Sequence, residues 1–131
     1  GLTRQGRYAS AATVLRNGLR DHPQDPDLWV ALGNALVGHS SGIITPASQF
    51  AFQKAADIQP DHPGPPFFMG LSLAQSGRLE EARILWAELL ERSPKDAPWR
   101  GDLESRLQRI DAMLGAKADV TTSPQKTQQN P

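Results

Sequence analysis

The stretch Gly38-His39-Ser40-Ser41-Gly42 has the residue types of a hydrolase elbow, G-x-S-x-G, with a histidine inside it. In such an enzyme a strand-to-helix turn exposes the serine to an attacking geometry. Here the preceding residues read as a helix and no strand is predicted anywhere. The stretch therefore reads as an inter-helix turn, with His39 suited to the negative end of a helix dipole. Three histidines, no cysteine and no i,i+4 histidine pair give no basis for a metal, haem or disulfide site. Asp21-His22-Pro23 and Asp61-His62-Pro63 fall at different phases of the chain and read as unrelated turns. Glu80-Glu81 and Glu88-Glu91 read as solvated faces, with Glu88 and Arg92 an i,i+4 pair. On this reading the chain is not an enzyme and carries no cofactor.

The elements that carry these residues repeat. Pro23, Pro60 and Pro94 are separated by 37 and 34 residues, and Gly33 and Gly70 by 37. Gly6, Tyr8, Ala11 and Leu15 return 71 residues later as Gly77, Leu79, Ala82 and Trp86. A beat near 34 residues with small and aromatic positions at fixed offsets is the tetratricopeptide (TPR) signature, in which helix pairs stack into a solenoid. The expected fold is all-α: a TPR-type right-handed α-solenoid of antiparallel helix pairs with a C-terminal capping helix. The expected organisation is a TPR domain over 1–115, made of a half repeat 1–24, repeats 25–62 and 63–96, and a capping helix 97–115. Residues 116–131 hold no aromatic and read as a disordered tail.

Within that frame Gly6 ends an incoming turn, and Tyr8, Ala11, Ala12, Leu15 and Leu19 share one helical face. Asp25 caps a helix that starts with Pro26 and runs to about 38, and Thr45-Pro46 starts the next in the same way. Asp61 to Pro66 reads as a rigid turn before a helix Phe67 to Ser76, followed by Arg78 to Arg92. Leu103, Leu107, Ile110 and Leu114 form the stripe of the capping helix, with Gly115 as its C-cap. Gly33, Gly70, Ala11, Ser48 and Ala82 are the small residues that let helices approach. Trp29, Leu15, Phe52 and Trp86 fill the gaps between pairs. Trp99 either staples the capping helix or sits on the rim.

Fourteen basic and fourteen acidic residues cancel, which argues against nucleic acid as a partner. No apolar run approaches a membrane span and no signal peptide is present. The chain opens on Gly1, partway through a repeat, as an excised fragment would. Function is expected on the groove lined by first helices. The positions left over by packing are Asp27, Val30, Asn34 and Val37, then Phe67, Leu71, Ala74 and Gln75, with Pro98, Gly101 and Ser105 equivalent on the last helix. Val30, Val37, Phe67 and Leu71 would make that groove apolar and fit for an amphipathic helix or apolar peptide. A charged C-terminal tail would call instead for a clamp of Lys and Arg. The alternative is that Phe67 and Leu71 pack against the neighbouring repeat.

Leu32-Gly33-Asn34-Ala35-Leu36-Val37, Thr45-Pro46-Ala47, Asp61-His62-Pro63-Gly64-Pro65 and Asp96-Ala97-Pro98-Trp99-Arg100 occur in succession. That succession resembles the periplasmic TPR region of cytochrome c-type biogenesis proteins of the CycH (CcmI) family, with nitrite-reductase maturation factors next. The resemblance implies a protein anchored in the bacterial inner membrane by helices outside this chain. On its periplasmic side the TPR domain would act as a chaperone. It would hold apocytochrome c by its C-terminal helix and present the Cys-x-x-Cys-His segment to subunits of the haem lyase complex. A general TPR scaffold for another envelope complex is the competing reading.

Overall fold

The structure, a computed structural model, describes the backbone of residues 2–129 and the side chains of 4–116. Six helices follow one another over that span: α1 (Leu2–Asp21), α2 (Pro26–His39), α3 (Pro46–Ile58), α4 (Gly64–Gln75), α5 (Leu79–Arg92) and α6 (Arg100–Gln129). There is no strand among the described residues, and the fold is the all-α TPR-type solenoid.

Local chemistry sets the helix ends. Asp25 Oδ1 accepts from the N–H groups of Asp27 (2.9 Å) and Leu28 (3.4 Å), two donors that the first turn of α2 cannot satisfy itself. At α3, Thr45 and Ser48 cap each other: Thr45 N donates to Ser48 Oγ at 2.8 Å and Ser48 N donates to Thr45 Oγ1 at 3.3 Å. The helix α4 begins at Gly64, three residues ahead of the expected Phe67, so Pro65 and Pro66 belong to its first turn. Proline costs nothing there, because those N–H groups have no helical partner.

Both first helices end in a Schellman motif. In α4, Arg78 N donates to Leu73 O (2.8 Å) and Gly77 N to Ala74 O (3.1 Å), with Gly77 at φ 81°. In α2, Gly42 N donates to Val37 O (2.9 Å) and Ser41 N to Gly38 O (3.2 Å), with Ser41 at φ 58°. The G-x-S-x-G stretch is thus a helix-closing turn with its backbone bonded, as different from a strand elbow as its sequence context indicated.

Packing follows the small residues. A Cβ on Gly33 would sit 2.6 Å from the Phe52 ring, and one on Gly70 would strike the Trp86 indole. Phe52, Ser48, Ala51 and Ala82 are fully buried and Trp86 nearly so. One contact is new: Tyr8 of α1 lies flat against Gly38 at the far end of α2. Trp99 staples rather than rims. Its Nε1–H donates to Ser93 Oγ (2.9 Å), which donates to Leu89 O (2.6 Å), while Arg100 reaches Leu90 O and Ser93 O (2.9 and 3.1 Å). These bonds tie the start of α6 to the end of α5.

Four local expectations are corrected. Gly6 lies inside α1 rather than at a turn, and Ala11 is exposed while Ala12 is buried. Ala82, the counterpart of Ala11, is covered by α4, whereas no described helix precedes α1 to cover Ala11 or to hold Gly6 in a turn. Gly115 does not cap α6, whose backbone continues to Gln129. The tail expected over 116–131 falls almost wholly outside the residues whose side chains are described. Arg92 makes no ion pair with Glu88; its guanidinium donates to Pro60 O at 3.4 Å.

Candidate functional site

Among the described residues α2 touches α4, while α1, α3 and α5 do not approach one another. The first helices therefore form the inner layer and the second helices the spread, outer one. Each layer offers a surface.

The inner face holds the eight groove positions read from the sequence, and it does not treat them alike. Val30 and Val37 are only 8% exposed, packed with Phe52, Ala55, Phe68 and Met69. They belong to the core, because α4 closes over them: a Cβ on Gly64 would come within 3.4 Å of Val30. Phe67 is half-buried, with its ring stacked on Trp86 (6.0 Å, 27°), edge-on to Phe68 (5.3 Å) and with the Arg106 guanidinium 5.2 Å above it. Leu71 and Ala74 are half-buried against the same cluster of α5 and α6 side chains. For Phe67 and Leu71 this is the packing alternative. Pro98, Gly101 and Ser105 are exposed at the start of α6.

Asp27 is exposed but engaged. Its Oδ1 lies 2.7 Å from His62 Nε2, and His62 Nδ1 accepts the Gly64 N–H at 2.9 Å. Accepting at Nδ1 fixes the proton on Nε2, so the imidazole donates to Asp27. His62 therefore ties the beginnings of α2 and α4 together, and its Asp-His-Pro turn is not incidental. Spacing alone could not show this, because the partner is 35 residues away.

Asn34 and Gln75 share one hollow of about 560 Å³, which the edge of Val37 also lines and whose other walls are Arg4, Gln5 and Tyr8 of α1, Gly38 and the Ser41-Gly42 turn. Gln5 Nε2 donates to Ser41 Oγ (3.5 Å) and His39 Nδ1 contacts Gln5 O (3.4 Å), so the turn is moored to α1. The inner face is rich in hydrogen-bonding groups and carries a cation, where the sequence reading expected an apolar trough.

The apolar surface is on the outer face. Between α1 and α3, with α2 as its floor, runs a cleft of about 410 Å³ lined by Leu19, Trp29, Leu32, Leu36, Phe50 and Ala51 among others. Phe50 is 61% exposed and its ring stands edge-on to Trp29 (6.0 Å, 77°), whose Nε1–H is taken up by Pro23 O at 2.8 Å. The sequence reading singles out Phe52 as a gap filler and leaves Phe50, two residues before it, unassigned. A signal was available, since residues two apart on a helix point to nearly opposite sides and Phe52 already filled the gap beside Gly33. No helix of the described residues is long and apolar enough to cross a membrane.

The tetratricopeptide repeat family matches residues 1–35. The cytochrome c-type biogenesis protein CycH of Bradyrhizobium diazoefficiens is 32% identical over 126 residues, 95% of this chain and 34% of the relative. CycH of Rhizobium meliloti is 35% identical over 96 residues, 73% of this chain and 25% of the relative. The chain thus spans about a third of one relative's length and a quarter of the other's. With its stacked helix pairs and these likenesses along nearly its full length, the chain belongs to the TPR domains of the CycH family of cytochrome c-type biogenesis proteins.

Proposed function

We propose that this domain binds apocytochrome c during cytochrome c maturation, gripping the C-terminal helix of the apoprotein while haem is attached. It would do so on the periplasmic side of the inner membrane, beside subunits of the haem lyase complex. The observation that carries the reading is the likeness to proteins named for cytochrome c-type biogenesis over 126 residues. The inner hollow adds a physical reason. The last four carbonyls of any helix lack helical partners. The amides of Asn34 and Gln75, the Tyr8 hydroxyl and the Arg4 guanidinium are donors that such an end, and a terminal carboxylate, would take. Asp27 and Phe67 are engaged within the domain, so they shape this face rather than grip.

The test is calorimetric titration of the domain with a synthetic peptide of an apocytochrome C-terminal helix. Binding is expected. The pair Asn34→Ala and Gln75→Ala should weaken it about tenfold or more, the loss of two net hydrogen bonds, with the circular dichroism unchanged. Unchanged affinity in the double variant refutes this surface, and no binding of any apocytochrome peptide refutes the function.

A further inference from the structure

We propose that the outer cleft between α1 and α3 is a second docking surface, and that it takes an amphipathic helix of a partner protein with acidic residues along one flank. This goes beyond the inner-face reading and does not depend on it.

The cleft is selective in charge. Arg16 and Arg20, one turn apart on α1, form its rim, both are exposed, and neither is in an ion pair among the described residues. No carboxylate lines it. The equivalent cleft one step along, between α3 and α5, is different: its cation, Arg78, is already bound to Glu81 through two bonds of 2.9 and 2.6 Å. Of the two equivalent clefts, then, the first offers unpaired positive charge beside apolar surface.

The floor sets the form of the occupant. Trp29 and Leu36, both half-buried, stand two turns apart on α2 with the buried Leu32 between them, an apolar line about 10 Å long at ~1.5 Å per residue. A helix laid along it meets that line with side chains at i, i+3 or i+4, and i+7. Carboxylates four residues apart on its flank would face Arg16 and Arg20 in turn. A second copy of this chain is a poor match. The most acidic helix, α5, exposes one large apolar side chain, Ile84, and the other exposed ones (Val14, Ile43, Phe50, Met113) lie on separate elements.

The experiment uses two probe peptides of about eighteen residues, each a helix with the same leucine stripe at that spacing. One carries glutamates on the flank and the other lysines at the same positions. Binding to the domain is followed by the NMR shift of the Trp29 indole N–H. The glutamate peptide is expected to bind at least tenfold more tightly than the lysine peptide, with the gap narrowing as salt rises. Arg16→Glu with Arg20→Glu, both exposed, should reverse the order, while Asn34→Ala with Gln75→Ala should leave it unchanged. Equal affinity for the two peptides, or an order that survives the charge reversal, overturns the proposal. So does a dimer in sedimentation that dissociates with Phe50→Glu, because a second copy would then be the occupant.

Discussion

The two complete helix pairs, α2–α3 and α4–α5, solve one packing problem with different residues. Each sets a glycine of its first helix under an aromatic ring of its second: Gly33 under Phe52, Gly70 under Trp86. Each closes its first helix with the same two hydrogen bonds, through Ser41 in one pair and Gly77 in the other. The backbone scheme is shared, yet the surfaces diverge. Outside α2 the cleft is apolar and rimmed by unpaired arginines; outside α4 it holds a closed Arg78–Glu81 pair. A repeat dictates where helices lie, and the residues it leaves free decide what each step can bind.

The largest test of that division sets Trp86→Ala against Phe50→Ala. Trp86 is 2% exposed and Phe50 61%. Urea denaturation should show a loss of about 3–5 kcal/mol for the first. The second should cost within about 0.5 kcal/mol. A similar cost for both would mean that the outer cleft is core in solution.

Next in size come Gly33→Val and Gly70→Val. Each places side-chain atoms inside the facing ring, and each should lose about 1–3 kcal/mol by the same assay. Tolerance at one site and not the other would break the equivalence of the pairs.

A smaller effect distinguishes the two closing turns. Ser41 holds a left-handed φ of 58° that costs a residue with a Cβ about 1–2 kcal/mol. Ser41→Gly should raise stability by up to about 1 kcal/mol, after the greater freedom that glycine has in the unfolded chain is subtracted. Gly77→Ser should lower it by a similar amount.

The smallest is Glu81→Gln. The hydrogen bond from Arg78 holds the Glu81 carboxyl below its ordinary range. Its contribution is therefore present above the unfolded-state value and fades as pH falls through the lower folded one. Both partners are open to water, so scanning calorimetry should show no resolvable change in Tm at neutral pH and ordinary salt.

Much of the frame was legible. Asp25-Pro26 and Thr45-Pro46 announced helix starts because a capping oxygen and a fixed φ act within four residues. The spacing of Gly33, Gly70 and Trp86 gave the interhelical contacts, since close approach admits few residue types. The site was less so. Val30 and Val37 were assigned to the groove by register, yet whether a first-helix residue is free depends on how far the next first helix leans over it. The Asp27–His62 bond joins residues that no local rule relates.

By itself the sequence determined an all-α chain of paired helices, the starts of α2 and α3 where a capping oxygen precedes a proline, and which small and large residues meet between helices. These follow from interactions within a turn or two and from a strict repeat. Only the tertiary structure decided which face is polar and which apolar. That is set by the closeness of α4 to α2 and the gap between α1 and α3, and those separations come from the summed packing of side chains distant in the chain.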